Sequence, residues 1–358
     1  MRDPTNSGRI EGDRTQSTRV ASPAHRSGAE LPHAVVLTAW NRRGYLAEAI
    51  DSVRRCLQPP DELVAVTNYR DDVLERRVTD GGGKWVITTE DSFGTMTSAG
   101  VAASTAPVIS FLDDDDLYLP ERLSVARSAF DADPTLGFLH VGYRPFADGA
   151  PVPVPDRLVS PCTLTIPKGV RTRDQFLRIW STDAAYNGSS ITVRRALLAP
   201  HVDELRSIEL SVPPYLFFRA WVSEWALQAH PAPLVAVRQH SGSSTSGRFE
   251  HRSVRLPRLR RISPRLARDA VRIRAFLPAG TWDLGLLEVN AMNTIFASID
   301  DPGIPRTAVV RAALDLARER EVWVPRAALS ALAGTRLLSH RISGGMYRFL
   351  TTPPTRVR

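Results

Sequence analysis

Val108-Ile-Ser-Phe-Leu-Asp-Asp-Asp-Asp116 is the stretch on which the fold turns. Val108 to Leu112 is a short, mostly apolar run, the pattern of a strand buried on both faces. Four aspartates follow it without a spacer. Adjacent carboxylates repel one another, and all stay ionised in a cleft only if positive charge joins them. A divalent cation with oxygen ligands answers that need, and Mg²⁺ or Mn²⁺ would also bridge to substrate phosphates. The plainer reading is a solvated acidic loop that caps a helix beginning near Pro120. The buried strand directly before the run favours the cleft.

Working outward, His33-Ala-Val-Val-Leu-Thr38, Glu62-Leu-Val-Ala-Val-Thr67 and Lys84-Trp-Val-Ile-Thr-Thr89 are further strands. Tyr45 to Leu57 has helical apolar spacing and stops at Pro59-Pro60. Thr95 to Ser104 is a helix of small residues. Strands alternating with helices predict an α/β fold whose mostly parallel sheet is covered on both faces. Ligands of such sheets bind beyond the carboxyl ends of the strands, where Thr38–Arg42 and Asp113–Asp116 both fall. Further on, the spacing predicts a proline-rich crossing over 151–173, a strand at Ser189–Val193, a helix over Tyr215–Gln228 and a short strand at Leu234–Val237. The loop Ser241–Gly247 divides a first domain, 32–247, from a smaller helical region, 248–358. Helices are expected there around 263–277, 284–297, 306–321 and 325–338, with Pro264, Pro305 and Pro325 at their first turns. Residues 1–31 are polar, lack periodicity and are expected to form a disordered tail.

At 358 residues the chain has room for about two domains. Its two cysteines, Cys56 and Cys162, exclude a disulfide scaffold or a zinc finger and fit a reducing compartment. No apolar run reaches the roughly 18 residues of a membrane span. The polar N-terminus is not a secretory signal, so a cytoplasmic location is expected. Of the net charge of +8, residues 248–358 carry +11 and the rest −3.

Several stretches, in order, resemble family 2 glycosyltransferases of the GT-A fold. They are Val35-Val-Leu-Thr-Ala-Trp-Asn-Arg42, Tyr45-Leu-Ala-Glu-Ala-Ile-Asp-Ser-Val53, Ala99-Gly-Val-Ala-Ala103, Phe111-Leu-Asp-Asp-Asp-Asp-Leu-Tyr-Leu-Pro120, Asn187-Gly-Ser-Ser-Ile-Thr-Val-Arg-Arg195 and Pro233-Leu-Val-Ala-Val-Arg-Gln-His-Ser-Gly-Ser-Ser244. The resemblance covers about 33–245. It implies a Rossmann-like GT-A domain that passes a sugar from a nucleotide-diphospho-sugar to an acceptor, usually with inversion. It further implies that Thr38, Ala39, Trp40, Asn41 and Arg42 line the donor, with Trp40 stacked on the base. Asp113 would approach the ribose and the metal, and Asp114 would also face the donor. Asp115, Asp113 and His240 would hold the Mn²⁺ or Mg²⁺, and 241–247 would close as a flap.

The departures from the family pattern are specific. Asn68 stands where base-reading aspartates usually end the second strand, so a UDP-sugar is a default donor. Counting back from Pro233 places Val212-Pro213 where the family has its Glu-Asp pair, and neither can take a proton. Glu209, three residues upstream of Val212, is the candidate general base. The alternative is a degenerate GT-A-like domain that binds a nucleotide or glycan or serves as a partner subunit. A nucleotidyltransferase would want a Gly-rich phosphate loop, of which Arg42-Arg43-Gly44 is a poor version. Arg248 to Arg274 holds 10 arginines against Glu250 and Asp269. Leu266, Ala270, Ile273 and Leu277 share one face of that helix, and Arg265, Arg268 and Arg272 another. The segment 252–277 is therefore a candidate for peripheral contact with the inner face of a membrane. The last helices suit core or homodimer packing. No nucleic-acid partner is expected, because aromatics are not interleaved with the arginines.

Overall fold

The computed structural model describes residues 31–90, 92–153, 162–240, 252–278, 294, 295, 298 and 304–318, with only the backbone at 252–261, 313 and 315–318. Its first strand, β1 (His33–Ala39), is buried at all seven positions. Its apolar side chains alternate, as a pleated strand requires. Ala34 and Val36 join one core cluster, and Val35, Leu37 and Ala39 the other. A strand with two apolar faces must lie between two helical layers.

β1 pairs in parallel with β2 (Glu62–Thr67) and β4 (Val108–Asp113), and β2 pairs in parallel with β3 (Lys84–Ile87). The crossovers are α1 (Leu46–Arg54), α2 (Asp72–Thr79) and α3 (Phe93–Ala103). The small residues of α3 have a steric reason. A Cβ on Gly100 would lie 2.3 Å from Cγ1 of Val36, so α3 sits directly on the sheet.

Beyond β4 the sheet becomes mixed. After β5 (Leu117–Tyr118) and α4 (Arg122–Ala132), β6 (Leu136–Ala147) is a strand of 12 residues. It is followed by β7 (Leu164–Ile166), α5 (Arg173–Trp180), β8 (Ile191–Arg194), α6 (Arg195–Leu198), α7 (Val202–Ser207), α8 (Val212–Trp221) and β9 (Ala226–Gln239). The strand order is β3-β2-β1-β4-β8-β6-β9-β5, with β7 paired on β9. β8 is antiparallel to both β4 and β6, whereas β6 and β9 run parallel.

Two boundaries differ from expectation. The helix expected over Tyr215–Gln228 ends at Trp221, and Ala226 already begins β9. Pairing of Ala226–Gln239 along β6 overrides the helical spacing, and β9 absorbs the short strand expected at Leu234–Val237. The helix expected to begin at Ser263-Pro264 is α9 (Arg252–Phe276), so Pro264 lies in its interior instead of at its first turn. An interior proline costs about 3 kcal/mol, which packing of the following turns must offset. Ala270 and Ile273 supply it, being buried in the same cluster as α8. The last described helix, α10 (Arg306–Arg318), buries Val309 and Ala312. The expected tail up to residue 30, the flap 241–247, the helix at 325–338 and most of 284–297 lie outside the described residues. Among the described residues no helix is long and apolar enough to cross a membrane.

Candidate active site

The register Thr38↔Asp113 sets the ends of β1 and β4 level, and the site grows from there. Asp114 N–H donates to the Thr38 carbonyl (3.0 Å), and Thr38 Oγ1 donates to Asp113 Oδ1 (3.4 Å). The Asp116 N–H closes a turn on the Asp113 carbonyl (3.2 Å). This turn gathers the carboxylates of Asp113, Asp115 and Asp116, whose ligand atoms lie within 4.8 Å of one another. Asp114 faces elsewhere and meets Arg42.

Two residues that the sequence reading passed over hold the turn. Ser189 Oγ accepts the Asp113 N–H (3.1 Å) and donates to Asp116 Oδ2 (2.7 Å). Arg238, buried on β9, donates its N–H to Asp116 Oδ1 (3.2 Å) and Nε to the Asp115 carbonyl (3.2 Å). Its guanidinium also reaches Asp148 and Glu48 and lies 4.6 Å from the centre of the Tyr45 ring. Burial first, then the Asp115 charge, pushes the Asp113 carboxyl up to about 6. Burial pushes Asp114 up to about 7 against the pull of Arg42, and burial with two acidic neighbours holds Asp116 well above the usual carboxylate range. The crowded carboxylates of Asp113, Asp115 and Asp116 form an all-oxygen donor set. That set fits Mg²⁺ or Mn²⁺.

Arg42 spans the run. Its Nη2 and Nε reach the two oxygens of Asp114 (2.7 and 3.3 Å), and Nη1 lies 2.8 Å from Asp115 Oδ2. Burial works against its charge, but Asp114 and Asp115 more than offset that and hold its pKa above the ordinary value. His240 Nε2 lies 3.0 Å from Asp115 Oδ2 and 2.9 Å from Arg42 Nη1, with the Tyr45 ring packed 5.0 Å away. The structure thus brings His240, at the far end of the domain sequence, to the aspartates.

The turn after β1 is rigid. Asn41 adopts φ 55°, a region that asparagine enters more readily than most residues. Its N–H donates to Asn68 Oδ1 (2.9 Å), and Asn68 Nδ2 returns a bond to Asn41 Oδ1 (2.9 Å). Asn68, considered as a base reader, therefore also fixes this turn. Ala39 is buried beneath it. The Trp40 ring meets Phe93 edge to face at 5.8 Å, and its buried Nε1 has no partner among the described residues.

Gly188 also comes up to the aspartates. A Cβ placed there would lie 3.9 Å from both Asp113 carboxylate oxygens and 3.8 Å from Pro213 Cγ. Pro213, in the first turn of α8, therefore comes up to Gly188 beside Asp113, and neither it nor Val212 can take a proton. Glu209 is drawn the other way. Its carboxylate takes Arg268 Nε and Nη2 (2.8 and 2.9 Å), Arg265 Nε (3.0 Å) and Arg272 Nη1 (2.9 Å). Arg268 foremost among these hydrogen bonds holds its pKa near about 2 against desolvation. A carboxylate so held is a poor proton acceptor at neutral pH. The geometry runs against the expectation that Glu209 is the base. Asp269, fully buried on α9, accepts the N–H groups of Glu209 (2.8 Å), Leu210 (2.7 Å) and Ser211 (2.9 Å). The arginine face of the basic helix is thus turned onto its own domain.

Comparison with known proteins agrees with this architecture. Residues 34–198 match the model of glycosyl transferase family 2. An uncharacterized glycosyltransferase of Nostoc sp. is 30% identical over 113 residues, which is 30% of this chain and 35% of that protein. The chain thus matches only about a third of that relative's length. S. aureus TarS in complex with UDP-GlcNAc superposes with a TM-score of 0.50 at 14% identity, covering 89% of this chain and 92% of that one. A mannosyltransferase of Pyrobaculum calidifontis in complex with GDP-Man and Mn²⁺ gives 0.49 at 17% identity, over 90% and 86%. The part of the chain that holds the parallel half-sheet and the aspartates at the end of β4, residues 34–198, is thus similar to glycosyl transferase family 2.

Proposed function

We propose that this protein transfers a sugar from a nucleotide-diphospho-sugar to an acceptor, with inversion at the anomeric carbon and with a divalent cation bound. The carrying observation is the cluster of Asp113, Asp115 and Asp116 at the end of β4, beside the β1 turn. In this reading Asp113 and Asp115 hold the cation, with His240 next to them, while Asp116 is occupied by Ser189 and Arg238 in shaping the turn. When bound, the cation neutralises charge on the departing diphosphate. Thr38, Ala39, Trp40, Asn41 and Asn68 form the wall that receives the nucleoside, and Asp114 keeps Arg42 at the mouth of the site. The UDP-GlcNAc carried by S. aureus TarS supports a nucleotide-sugar on this fold and leaves a UDP-sugar as the default donor. A second reading, a donor-binding domain without turnover, is favoured by Val212-Pro213 at the start of α8.

The test is a thermal-shift screen of UDP-, GDP-, ADP-, CDP- and TDP-sugars with and without Mn²⁺. Ligand at 100 times its Kd stabilises a folded protein by about 2.7 kcal/mol. One nucleotide should raise Tm in a Mn²⁺-dependent manner, and Asp115→Ala should abolish that rise. No rise with any nucleotide overturns the donor site. A rise without sugar transfer to any acceptor tried selects the second reading.

A further inference from the structure

Three arginines of α9 converge on one carboxylate and fill its roughly four acceptor positions with three positive charges. Arg268 makes a bidentate fork with Glu209, through Nε and Nη2. Arg265 and Arg272 are added to it, at 3.0 and 2.9 Å. Like charges at this spacing are favourable only when further negative charge joins them. Asp269 adds one negative charge, with Oδ1 taking Arg272 Nη1 (3.2 Å), which leaves three guanidiniums against two carboxylates. Among the described residues Arg268 Nη1 and Arg272 Nε and Nη2 have no partner. These two side chains are 52% and 37% exposed. They offer solvent a planar, positively charged edge.

Attachment of the helix does not require so much charge. Ala270 and Ile273 are buried, and Asp269 alone ties α9 to three backbone groups. The location is informative instead. Glu209 stands four residues before Pro213, at most about 14 Å along even an extended chain. Pro213 borders Gly188 and, through it, Asp113. The Glu209 carbonyl also accepts the Phe93 N–H (3.0 Å), and Phe93 packs on Trp40. The arginine edge therefore stands at the entrance to α8, whose Pro213 borders Gly188 beside Asp113.

We infer that Arg268 and Arg272, steered by Arg265 and Glu209, form a phosphate-binding site that anchors a phosphate-bearing acceptor. This rests on the transfer reading above. Guanidinium forks grip phosphate oxygens as they grip carboxylates, so Glu209 holds the arginines in the geometry that a phosphate would use. The acceptor's phosphate could belong to a soluble molecule or to a lipid head group, and the recognising chemistry is shared.

The test uses the full chain and inorganic phosphate at constant ionic strength, with chloride as the control. Phosphate should raise the Tm of the wild type saturably, and Arg268→Gln/Arg272→Gln should lose that response. Glu209→Gln keeps an amide oxygen to hold the arginines in place but removes the competing negative charge, and should bind phosphate about tenfold more tightly, the worth of one charge-assisted hydrogen bond. This arm decides the question if the double variant does not fold. Co-sedimentation with vesicles containing phosphatidylglycerol, lost in the double variant, would assign the phosphate to a lipid head group. Absence of both responses, or a phosphate response equal in all variants, overturns the inference and leaves the cluster as an ion-pair clamp. The Mn²⁺-dependent nucleotide-sugar shift is read on the same samples. If it persists while phosphate fails, only the anion site is lost. If it is absent while phosphate binds, the donor reading fails by itself.

Discussion

Arg42 is the residue on which the aspartate run depends for charge balance. Asp114 is 1% exposed and takes both forks of the guanidinium, while Asp115 shares Nη1. Breaking a buried pair from one side is costly because it strands the other charge. Arg42→Ala should therefore destabilise the protein by about 3 kcal/mol in urea unfolding, whereas swaps at exposed Arg43 should stay within about 0.5 kcal/mol. Equal effects at the two positions would refute a buried pairing role for Arg42. At this scale the aspartates themselves were legible, because their crowding is written in four consecutive letters. Ser189 and Arg238 were not. They reach Asp116 from 73 and 122 residues away, and nothing local marks a serine or an arginine as the partner of a distant carboxylate. Glu209 was visible as a carboxylate in about the right place, but its arginine partners lie 56 to 63 residues further along the sequence.

The elements were legible in proportion to how locally their burial is encoded. β1, β2 and β4 are continuous apolar runs, and each lies where such a run predicts. β6 escaped notice because His140, Gly142, Arg144 and Pro145 interrupt it, yet it pairs with β9 along almost its entire length. The α8 boundary was misplaced for the related reason that only this pairing pulls Ala226 out of a helical pattern. α9 adds a testable point. Its attachment includes the Glu209 cluster, and the carboxyl of Glu209 falls from 4.5 to about 2 in the folded state. A depressed acid contributes stability above its unfolded pKa and loses it as pH falls through the folded one. Glu209→Gln should thus lower stability by about 2 kcal/mol at pH 7. The difference from wild type should shrink between pH 4.5 and about 2. Urea titrations at pH 7 and at lower pH would measure it, and a constant difference would show that Glu209 is not held by the arginines.

At the scale of the whole molecule, the sequence suggests a catalytic domain followed by a separate basic region, and the structure joins α9 to the sheet domain through apolar packing, the Glu209 cluster and one buried carboxylate. Asp269 is fully buried and accepts from three successive N–H groups at the entrance to α8. α8 in turn packs Phe217 and Phe218 into the core and carries Pro213 to the edge of the aspartate site. A residue of the C-terminal region therefore holds the backbone that leads to Pro213, beside the aspartate cluster. The amides of Glu209, Leu210 and Ser211 belong to a connection between helices, a kind of segment that ordinarily exchanges its hydrogens fast. Here they should exchange slowly, approaching the rate of β1. Asp269→Ala should release these three amides while β1 stays protected, because the substitution strands their donors and leaves the parallel half of the sheet intact. Hydrogen exchange read by NMR or mass spectrometry separates the outcomes. Slow exchange at 209–211 that collapses in the variant establishes α9 as part of the framework of the site. Fast exchange in the wild type would mean that the C-terminal region docks loosely, and that the border formed by α8 is held by its own packing alone.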